Sequence, residues 1–314
     1  MKLQTQIPLF PEEHNQIDYN SKTLLFGSCF SENMSEKLQY FKFQNYQNPF
    51  GILFHPKAIE TLIEHVIQHK IYSEKDVFFH NEQWHCFDAH SKLSDATKEG
   101  LIDKLNSQIE CTRNQLKNAS HIIITLGTAW VYNYIEKNKT VANCHKIPQK
   151  KFTKTILTVE EIRDSLKHIL AQIRGVNAHA TIIFTVSPVR HIKDGFVENT
   201  QSKSHLLTAI HQVLASRTYY FPSYEIMMDE LRDYRFYAED MIHPNSTAIN
   251  YIWEKFQLVW ISNKTLKIMK EVDVVQKGIQ HRPFNPNSEA HSKFLENLED
   301  KKNRLQLQFP DIMF

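Results

Sequence analysis

Two groups of residues in this sequence carry the side-chain types that nucleophilic catalysis requires. In the first group, Gly27 is followed directly by Ser28 and Cys29, which both carry nucleophilic side chains. The second group lies far along the chain and contains Asp240 and His243. An imidazole can take the proton of a thiol or hydroxyl, and a nearby carboxylate can orient that imidazole. The residue types therefore predict a nucleophile, a base and an orienting acid, provided that the fold brings the two groups together.

The sequence around Ser28 and Cys29 predicts how these side chains are presented. An apolar run ends at Gly27, and a polar stretch around Ser31 indicates the start of a helix. A turn between a parallel strand and a helix lies at the edge of the sheet where open α/β folds bind ligands. Because a helix N-terminus stabilises negative charge, and because an imidazole is expected nearby, we expect a lowered pKa for the Cys29 thiol.

Three segments of the chain resemble the sequence blocks of the SGNH (GDSL) hydrolases. Residues 26–31, Phe-Gly-Ser-Cys-Phe-Ser, resemble the first block, and specifically that of the GSCFA group. Residues 240–245, Asp-Met-Ile-His-Pro-Asn, resemble the last block, and residues 122–128 resemble the start of the block that usually continues Asn-Asp. The resemblance covers residues 22–260 and implies hydrolysis of an acyl ester, with a small or carbohydrate O-acyl ester as substrate.

The resemblance leaves two candidates for the nucleophile. A gap-free alignment with the family's Phe-Gly-Asp-Ser-Leu places Cys29 at the nucleophile and Ser28 at the family's Asp. The group is usually described as serine hydrolases, so Ser28 stays a candidate. In the alternative interpretation, Cys29 is a small buried side chain and Ser28 is a turn residue that bonds the backbone. The resemblance implies that His243 is the base and that Asp240 is its orienting partner. In the alternative interpretation, Asp240 and His243 are ordinary surface residues, as an Asp and a His at this spacing usually are.

The segment that should contribute to the oxyanion hole departs from the family. Gly127 and Thr128 match, but Ala129 stands where the family has the Asn that stabilises the tetrahedral intermediate. Loss of one such donor typically lowers the rate by about 10²–10³-fold. The replacement donors that we consider are the backbone N–H groups of Cys29 and Gly51 and the side-chain amide of Asn143.

Other polar residues are predicted to line the same cleft. Arg190 and His191 follow an apolar run at residues 181–186, so they should lie at the rim of the cleft or in an exposed loop. The loop that contains His145 could reach the pocket. The predicted substrate contacts are Gly127, Thr128, His145, Arg190 and His191.

Alternating strand and helix patterns predict the architecture. They indicate a three-layer α/β/α sandwich with a mainly parallel sheet, and the SGNH resemblance implies the flavodoxin-like form. We expect an N-terminal arm at 1–21 and a catalytic domain at 22–262, with an insertion at about 71–97 that forms a hairpin beside the site. Residues 130–152 are predicted to be a polar loop. We expect a helical extension at 263–314, and its last helix, at about 288–307, should pack on the main domain or on a partner subunit of a homodimer.

The composition excludes several classes of function. The net charge is only +2, so no nucleic-acid partner is indicated. The four cysteines have neither disulfide nor zinc spacing, and we expect no metal and no cofactor. Because no apolar run approaches the length of a membrane span or a signal peptide, we expect no membrane association and a cytoplasmic location.

Two other functions remain open from the sequence. An acyltransferase would use the same nucleophile to move an acyl group from a thioester donor to a glycan. A ligand-binding module without catalysis would explain Ala129 in place of the expected Asn. In that case substitutions of Ser28, Cys29 and His243 would leave function unchanged.

Overall fold

A computed structural model describes residues 4–314, and the first three residues of the predicted N-terminal arm lie outside the described residues. Five parallel strands form the central sheet in the order β2-β1-β5-β9-β10. This order, with the first two strands exchanged, is that of flavodoxin-like folds and confirms the predicted fold class. The central strands are β1 (Lys22–Gly27), β2 (Gln44–Gln47), β5 (His121–Leu126), β9 (Thr181–Val186) and β10 (Thr218–Phe221).

Helices cover both faces of this sheet. The helices are α1 (Cys29–Tyr40), α2 (Pro56–Ile67), α3 (Lys98–Asn118), α4 (Val159–Val176), α5 (Phe196–His211), the short α6 (Ser223–Glu225), α7 (Ser246–Trp260), α8 (Asn263–Gln280) and α9 (Glu289–Gln308). Helices α2 to α5 pack on one face, and α1 and α7 to α9 contribute to the core on the other. The three-layer sandwich is therefore present as predicted.

The central strands explain why two separate cores form. Successive side chains of a strand point to opposite faces, so a strand covered on both sides must be apolar throughout. In β5, Ile122 and Ile124 lie in the core under α2 to α5, whereas Ile123 lies in the opposite core. In β9, Ile182 and Ile183 divide in the same way.

Two smaller sheets lie outside the central one. Strands β3 (Val77–His80) and β4 (Gln83–Cys86) form the predicted antiparallel hairpin. The prediction of a polar loop at 130–152 is wrong, because β6 (Trp130–Tyr134), β7 (Lys139–Val141) and β8 (Phe152–Ile156) form a three-stranded antiparallel sheet. Val141 and Phe152 of this sheet pack against Phe87 in a small apolar cluster. A residue distant in sequence therefore supplies apolar contacts that stabilise the sheet.

Helices α8 and α9 form the C-terminal extension. The sequence predicted α9 but not α8, although Met269, Val272 and Val275 repeat at helical spacing and are buried. Asp273 of α8 accepts a hydrogen bond from the Tyr40 hydroxyl at 2.8 Å, so the extension contacts the main domain. Within residues 4–314, none of the helices has the length and apolarity needed to cross a bilayer.

Candidate active site

The turn after β1 depends on Gly27. Its φ of +139° is unfavourable for residues with a side chain, and a Cβ there would lie 2.2 Å from the carbonyl oxygen of Thr125 on β5. Its N–H donates to Asn48 Oδ1 at 2.9 Å, which ties the end of β1 to the segment after β2. This close approach of β1 and β5 fixes where Ser28 and Cys29 begin the next helix.

Ser28 is the N-cap of α1. Its Oγ accepts a hydrogen bond from the Phe30 N–H at 3.3 Å, and its own N–H donates to Thr125 O at 3.1 Å. The side chain is buried. These contacts agree with the interpretation of Ser28 as a residue that bonds the backbone, because an N-cap satisfies an otherwise free N–H of the first helical turn.

Cys29 is the first residue of α1 and is half-buried. The expectation of a lowered pKa for its thiol is wrong: burial raises the pKa, and the nearby Glu32 carboxylate raises it further. The N–H groups of Phe30 and Cys29 and the Lys203 ammonium act in the opposite direction but do not compensate. Because the thiol is mainly protonated near neutral pH, a reaction at Cys29 requires a base.

Asp240 and His243 form the predicted pair. Asp240 Oδ2 lies 2.6 Å from His243 Nδ1, and Asp240 Oδ1 accepts the N–H groups of Ile242 and His243 at 2.9 and 3.0 Å. These hydrogen bonds to the carboxylate, above all that from the His243 backbone, lower the pKa of Asp240 to about 2. The carboxylate therefore stays charged at neutral pH and favours a proton on Nδ1, which leaves Nε2 as the basic nitrogen.

The loop with this pair is attached to the loop after β9. Arg190 donates from its backbone N–H to Ile242 O at 3.2 Å and from Nη1 to Met241 O at 3.2 Å. Its guanidinium carbon lies 5.7 Å from the ring centre of Tyr234 and 5.5 Å from that of Tyr237. Arg190 and both tyrosines line a pocket of about 230 Å³, whose lining residues do not include Ser28, Cys29 or His243.

His191 lies against the end of β5 and directly follows Arg190, which bonds the Asp240–His243 loop. A Cβ at Gly127 would lie 3.1 Å from His191 Nε2, an atom that is buried and has no hydrogen-bond partner among the described residues. Burial, together with the smaller effects of the charges of Lys203 and His243, lowers the pKa of His191 to about 3. The imidazole is therefore neutral at physiological pH.

The Gly51 N–H, one of the predicted oxyanion donors, is engaged in another contact, whereas Asn143 is held through its side-chain oxygen, which is not the predicted donor. The Gly51 N–H donates to Asn48 O at 2.7 Å, and the carbonyl oxygen of the Asn143 side chain accepts the His145 N–H at 2.8 Å. Gly51 has a φ of +73°, and a Cβ there would lie 2.5 Å from His90 Cβ, so its role as a turn glycine explains its identity. The Cys29 N–H is among the groups that lower the pKa of the thiol.

Two further predicted substrate contacts are buried. His145 places Nε2 2.8 Å from Cys86 O and Nδ1 3.1 Å from the Ser91 hydroxyl, and burial lowers its pKa to about 4. Thr128 Oγ1 contacts the Ser202 hydroxyl at 2.9 Å and accepts the Trp130 N–H. Because both side chains use their polar atoms within the protein, they support the structure around the cleft and do not offer free atoms to a substrate.

Lys203 is the charged residue of this region that the sequence interpretation missed. It lies on α5, is 1% exposed, and donates from Nζ to Gly127 O and Ser187 O, both at 2.7 Å. A signal was present, because Lys203 precedes the buried Leu206 and Ile210 at helical spacing. A lysine on the apolar face of a helix is unusual, since lysine is almost never fully buried without a partner.

A role of Asp240 in orienting a catalytic His243 predicts that Asp240→Asn lowers kcat/KM for an activated ester by about 10²–10⁴-fold. The amide can still accept the two backbone N–H groups, but it presents no charge to Nδ1 and no longer fixes the tautomer of His243. Steady-state hydrolysis of p-nitrophenyl acetate measures the effect. Glu239→Gln, which removes an exposed neighbouring carboxylate, is the control and should retain wild-type activity. Equal activity of both variants would contradict a role for Asp240.

Comparisons with known proteins agree with the extent of the sequence resemblance. The model of the GSCFA family matches residues 22–256, and the model of the GSCFA domain protein, C-terminal domain, matches residues 272–314. No curated protein matches the chain. Among solved structures, a carbohydrate esterase family 3 from Talaromyces cellulolyticus is similar with 11% identity over 52% of this chain and 67% of that chain. The TM-score is 0.27, so this similarity supports no statement about activity.

Proposed function

This chain belongs to the GSCFA family, and from its geometry we propose that it is an SGNH-type hydrolase of acyl esters. The observation that carries the proposal is the Asp240–His243 pair, in which the carboxylate bonds the imidazole. The loop with this pair is bonded to the segment after β9. Cys29 follows β1 at the same edge of the sheet. Parallel strands β1, β5 and β9 all end at this edge. An oriented imidazole and a half-buried thiol on that edge supply the base and the nucleophile of acyl transfer.

In the proposed mechanism, Cys29 is the nucleophile. Ser28 is the less suitable candidate because its buried hydroxyl caps α1, whereas Cys29 is partly accessible. The raised pKa of Cys29 keeps the thiol protonated, so His243 removes the proton as the thiol attacks the ester carbonyl. His243 then protonates the departing alcohol, and water releases the acyl group from Cys29 by the reverse roles. The Cys29 N–H is the proposed donor to the oxyanion.

The pocket beside Arg190 suits the alcohol part of a carbohydrate ester. Tyr234 is 61% exposed and lines this pocket together with Tyr237, Arg190 and Asp233. Tyrosine rings provide flat apolar surfaces, and guanidinium and carboxylate groups can bind hydroxyls. The proposed substrate is therefore an O-acetylated sugar, with its ring in the pocket and its acyl group near Cys29.

Replacement of His243 by Gln tests the base. We expect kcat/KM to fall by about 10³-fold or more on p-nitrophenyl acetate and on an acetylated sugar. The matched control is His179→Gln, since His179 is exposed just before β9, at the opposite edge of the sheet. Hydrolysis that is unaffected by His243→Gln, or absent from the wild-type protein, would reject the proposal. Faster acyl transfer to a sugar than to water would instead identify an acyltransferase.

A further inference from the structure

Arg190 brings a positive charge to the pocket beside Tyr234 and Tyr237 without an acidic partner. Among residues 4–314, its guanidinium forms no ion pair with a carboxylate, and its one side-chain hydrogen bond goes to the Met241 carbonyl oxygen at 3.2 Å. A guanidinium has five N–H donors, and a neutral carbonyl does not compensate its charge. Most donors of Arg190 and its whole charge therefore remain available to a ligand.

Aromatic rings fix the orientation of the Arg190 guanidinium. Its carbon atom lies 5.4 Å from the ring centre of Phe196, 5.7 Å from that of Tyr234 and 5.5 Å from that of Tyr237. Cation–π contacts of this kind, together with the bond to Met241, restrict the rotamers of a long side chain. An oriented guanidinium is the group that binds carboxylates and phosphates through two parallel hydrogen bonds.

Other polar groups that line this pocket are hydrogen-bond donors. Tyr234 and Tyr237 contribute phenol hydroxyls that bond no other described residue. Arg232 contributes a second, exposed guanidinium, whose Nη1 lies 3.8 Å from Asp229 Oδ1, too far for a hydrogen bond. Two guanidinium groups and two phenols thus offer donors to a ligand in the pocket.

The carboxylate that lines the pocket, that of Asp233, is engaged by a neighbouring arginine. Arg235 donates from Nη2 to Asp233 Oδ2 at 2.8 Å and from its backbone N–H to Asp233 Oδ1 at 2.9 Å. A sugar hydroxyl both donates and accepts hydrogen bonds, whereas an ionised carboxylate or phosphate oxygen accepts them. Because the free groups of the pocket are cations and donors, they suit an oxyanion better than a neutral hydroxyl.

We propose that this pocket binds an oxyanion on the sugar, a carboxylate or a phosphate, and that the substrate is an acetylated acidic sugar. This inference deepens the proposed function and rests on it for the reaction, but binding of the anion does not require hydrolysis. Met227, Met228 and Leu231 line the same pocket and provide apolar surface for the carbon atoms of the sugar ring.

Arg190 connects the anion site to the loop of the proposed base. Its backbone N–H donates to Ile242 O and its Nη1 to Met241 O, both at 3.2 Å, and these two residues directly precede His243. A bound anion is therefore held by the residue that fastens the loop of the base. Binding of the nonreacting part of a substrate in this way positions its reacting part.

Binding of simple sugars tests the proposal directly. Titrations of the whole chain, followed by nuclear magnetic resonance of the ligands, give Kd for glucuronate, glucose 6-phosphate and glucose, which share a ring and differ in charge. We expect at least one of the two anions to bind about tenfold more tightly than glucose at low ionic strength. The tighter of the two identifies the group as a carboxylate or a phosphate. Equal affinities for all three sugars, or no detectable binding of either anion, would overturn the proposal.

Substitutions of Arg190 assign the preference to its guanidinium. Arg190→Met keeps a long apolar side chain and should bind the anion about tenfold more weakly, with unchanged binding of glucose. Arg190→Lys keeps the charge but not the planar fork, so its affinity should fall between those of wild type and Arg190→Met. Arg282→Met, at an exposed position outside the lining of this pocket, is the control and should bind as wild type. A folded Arg190→Met protein with the wild-type preference would contradict the proposal.

A further variant decides the matter if the Arg190 variants do not fold. Tyr234 is exposed, so Tyr234→Phe should leave the fold unchanged while it removes a hydroxyl donor and keeps the ring beside Arg190. We expect the anion to bind about fivefold more weakly, and an unchanged Kd would overturn the proposal. Anion binding without hydrolysis of any acetyl ester would support this inference and reject the proposed function. Hydrolysis of acetylated glucose without a preference for anions would do the reverse, so the two failures are distinguishable.

Discussion

Replacement of Cys29 by Ala is expected to lower kcat/KM for an activated acetyl ester by about 10³-fold or more. The proposed reaction forms a bond between the ester carbonyl carbon and Cys29 Sγ, and alanine cannot form it. The fold should tolerate the change, because alanine is the most favourable helix residue and Cys29 is the first residue of α1. Hydrolysis of p-nitrophenyl acetate gives the activity, and urea unfolding monitors stability.

Ser28→Ala provides the decisive comparison. The Ser28 hydroxyl caps α1, so its removal should reduce the free energy of unfolding by about 1 kcal/mol while activity decreases far less than in Cys29→Ala. Cys111→Ala, at an exposed position on α3, is the control for loss of a thiol and should match the wild type. If Ser28→Ala abolished hydrolysis and Cys29→Ala preserved it, Ser28 would be the nucleophile.

Replacement of Gly27 by Ala is expected to cause the largest loss of stability. A Cβ at this position would lie 2.2 Å from Thr125 O and 2.8 Å from Thr125 C, and backbone atoms of a central strand cannot move aside as a side chain can. The φ of +139° adds strain of its own. Overpacking together with the unfavourable backbone angle should reduce the free energy of unfolding by about 3 kcal/mol or more, or prevent folding.

Gly175→Ala is the matched control for this substitution. Gly175 lies in α4, and apart from the adjacent residues and the helix's own backbone, none of the described residues has a heavy atom within 4 Å of the position that its Cβ would occupy. Alanine should stabilise the helix there by about 0.5–1 kcal/mol. Urea unfolding with both variants compares the same chemical change in a crowded turn and an open helix. A wild-type midpoint for Gly27→Ala would show that β1 and β5 can separate and would contradict the argument.

Local sequence patterns predicted much of the framework of the site. The apolar runs of β1, β5 and β9 predicted strands of a buried parallel sheet. Such strands are apolar throughout because the side chains on both faces of the sheet lie against helices. The spacing of Asp240 and His243 predicted their pairing, because three residues of one loop can close that contact without help from the rest of the chain. These features depend mainly on short stretches of sequence.

The charges at the site were decided by the tertiary structure. The pKa of Cys29 depends on how much of the rest of the protein covers the thiol, and burial outweighed the helix N-terminus on which the sequence argument relied. Lys203 reaches this region only because α5 packs over the ends of β5 and β9, a contact between segments that are distant in sequence. The antiparallel sheet at 130–156 depends similarly on Phe87 from another segment. The sequence by itself thus determined which residues can react, whereas packing decided their charge and accessibility, because solvation and Coulomb interactions depend on the whole surrounding fold.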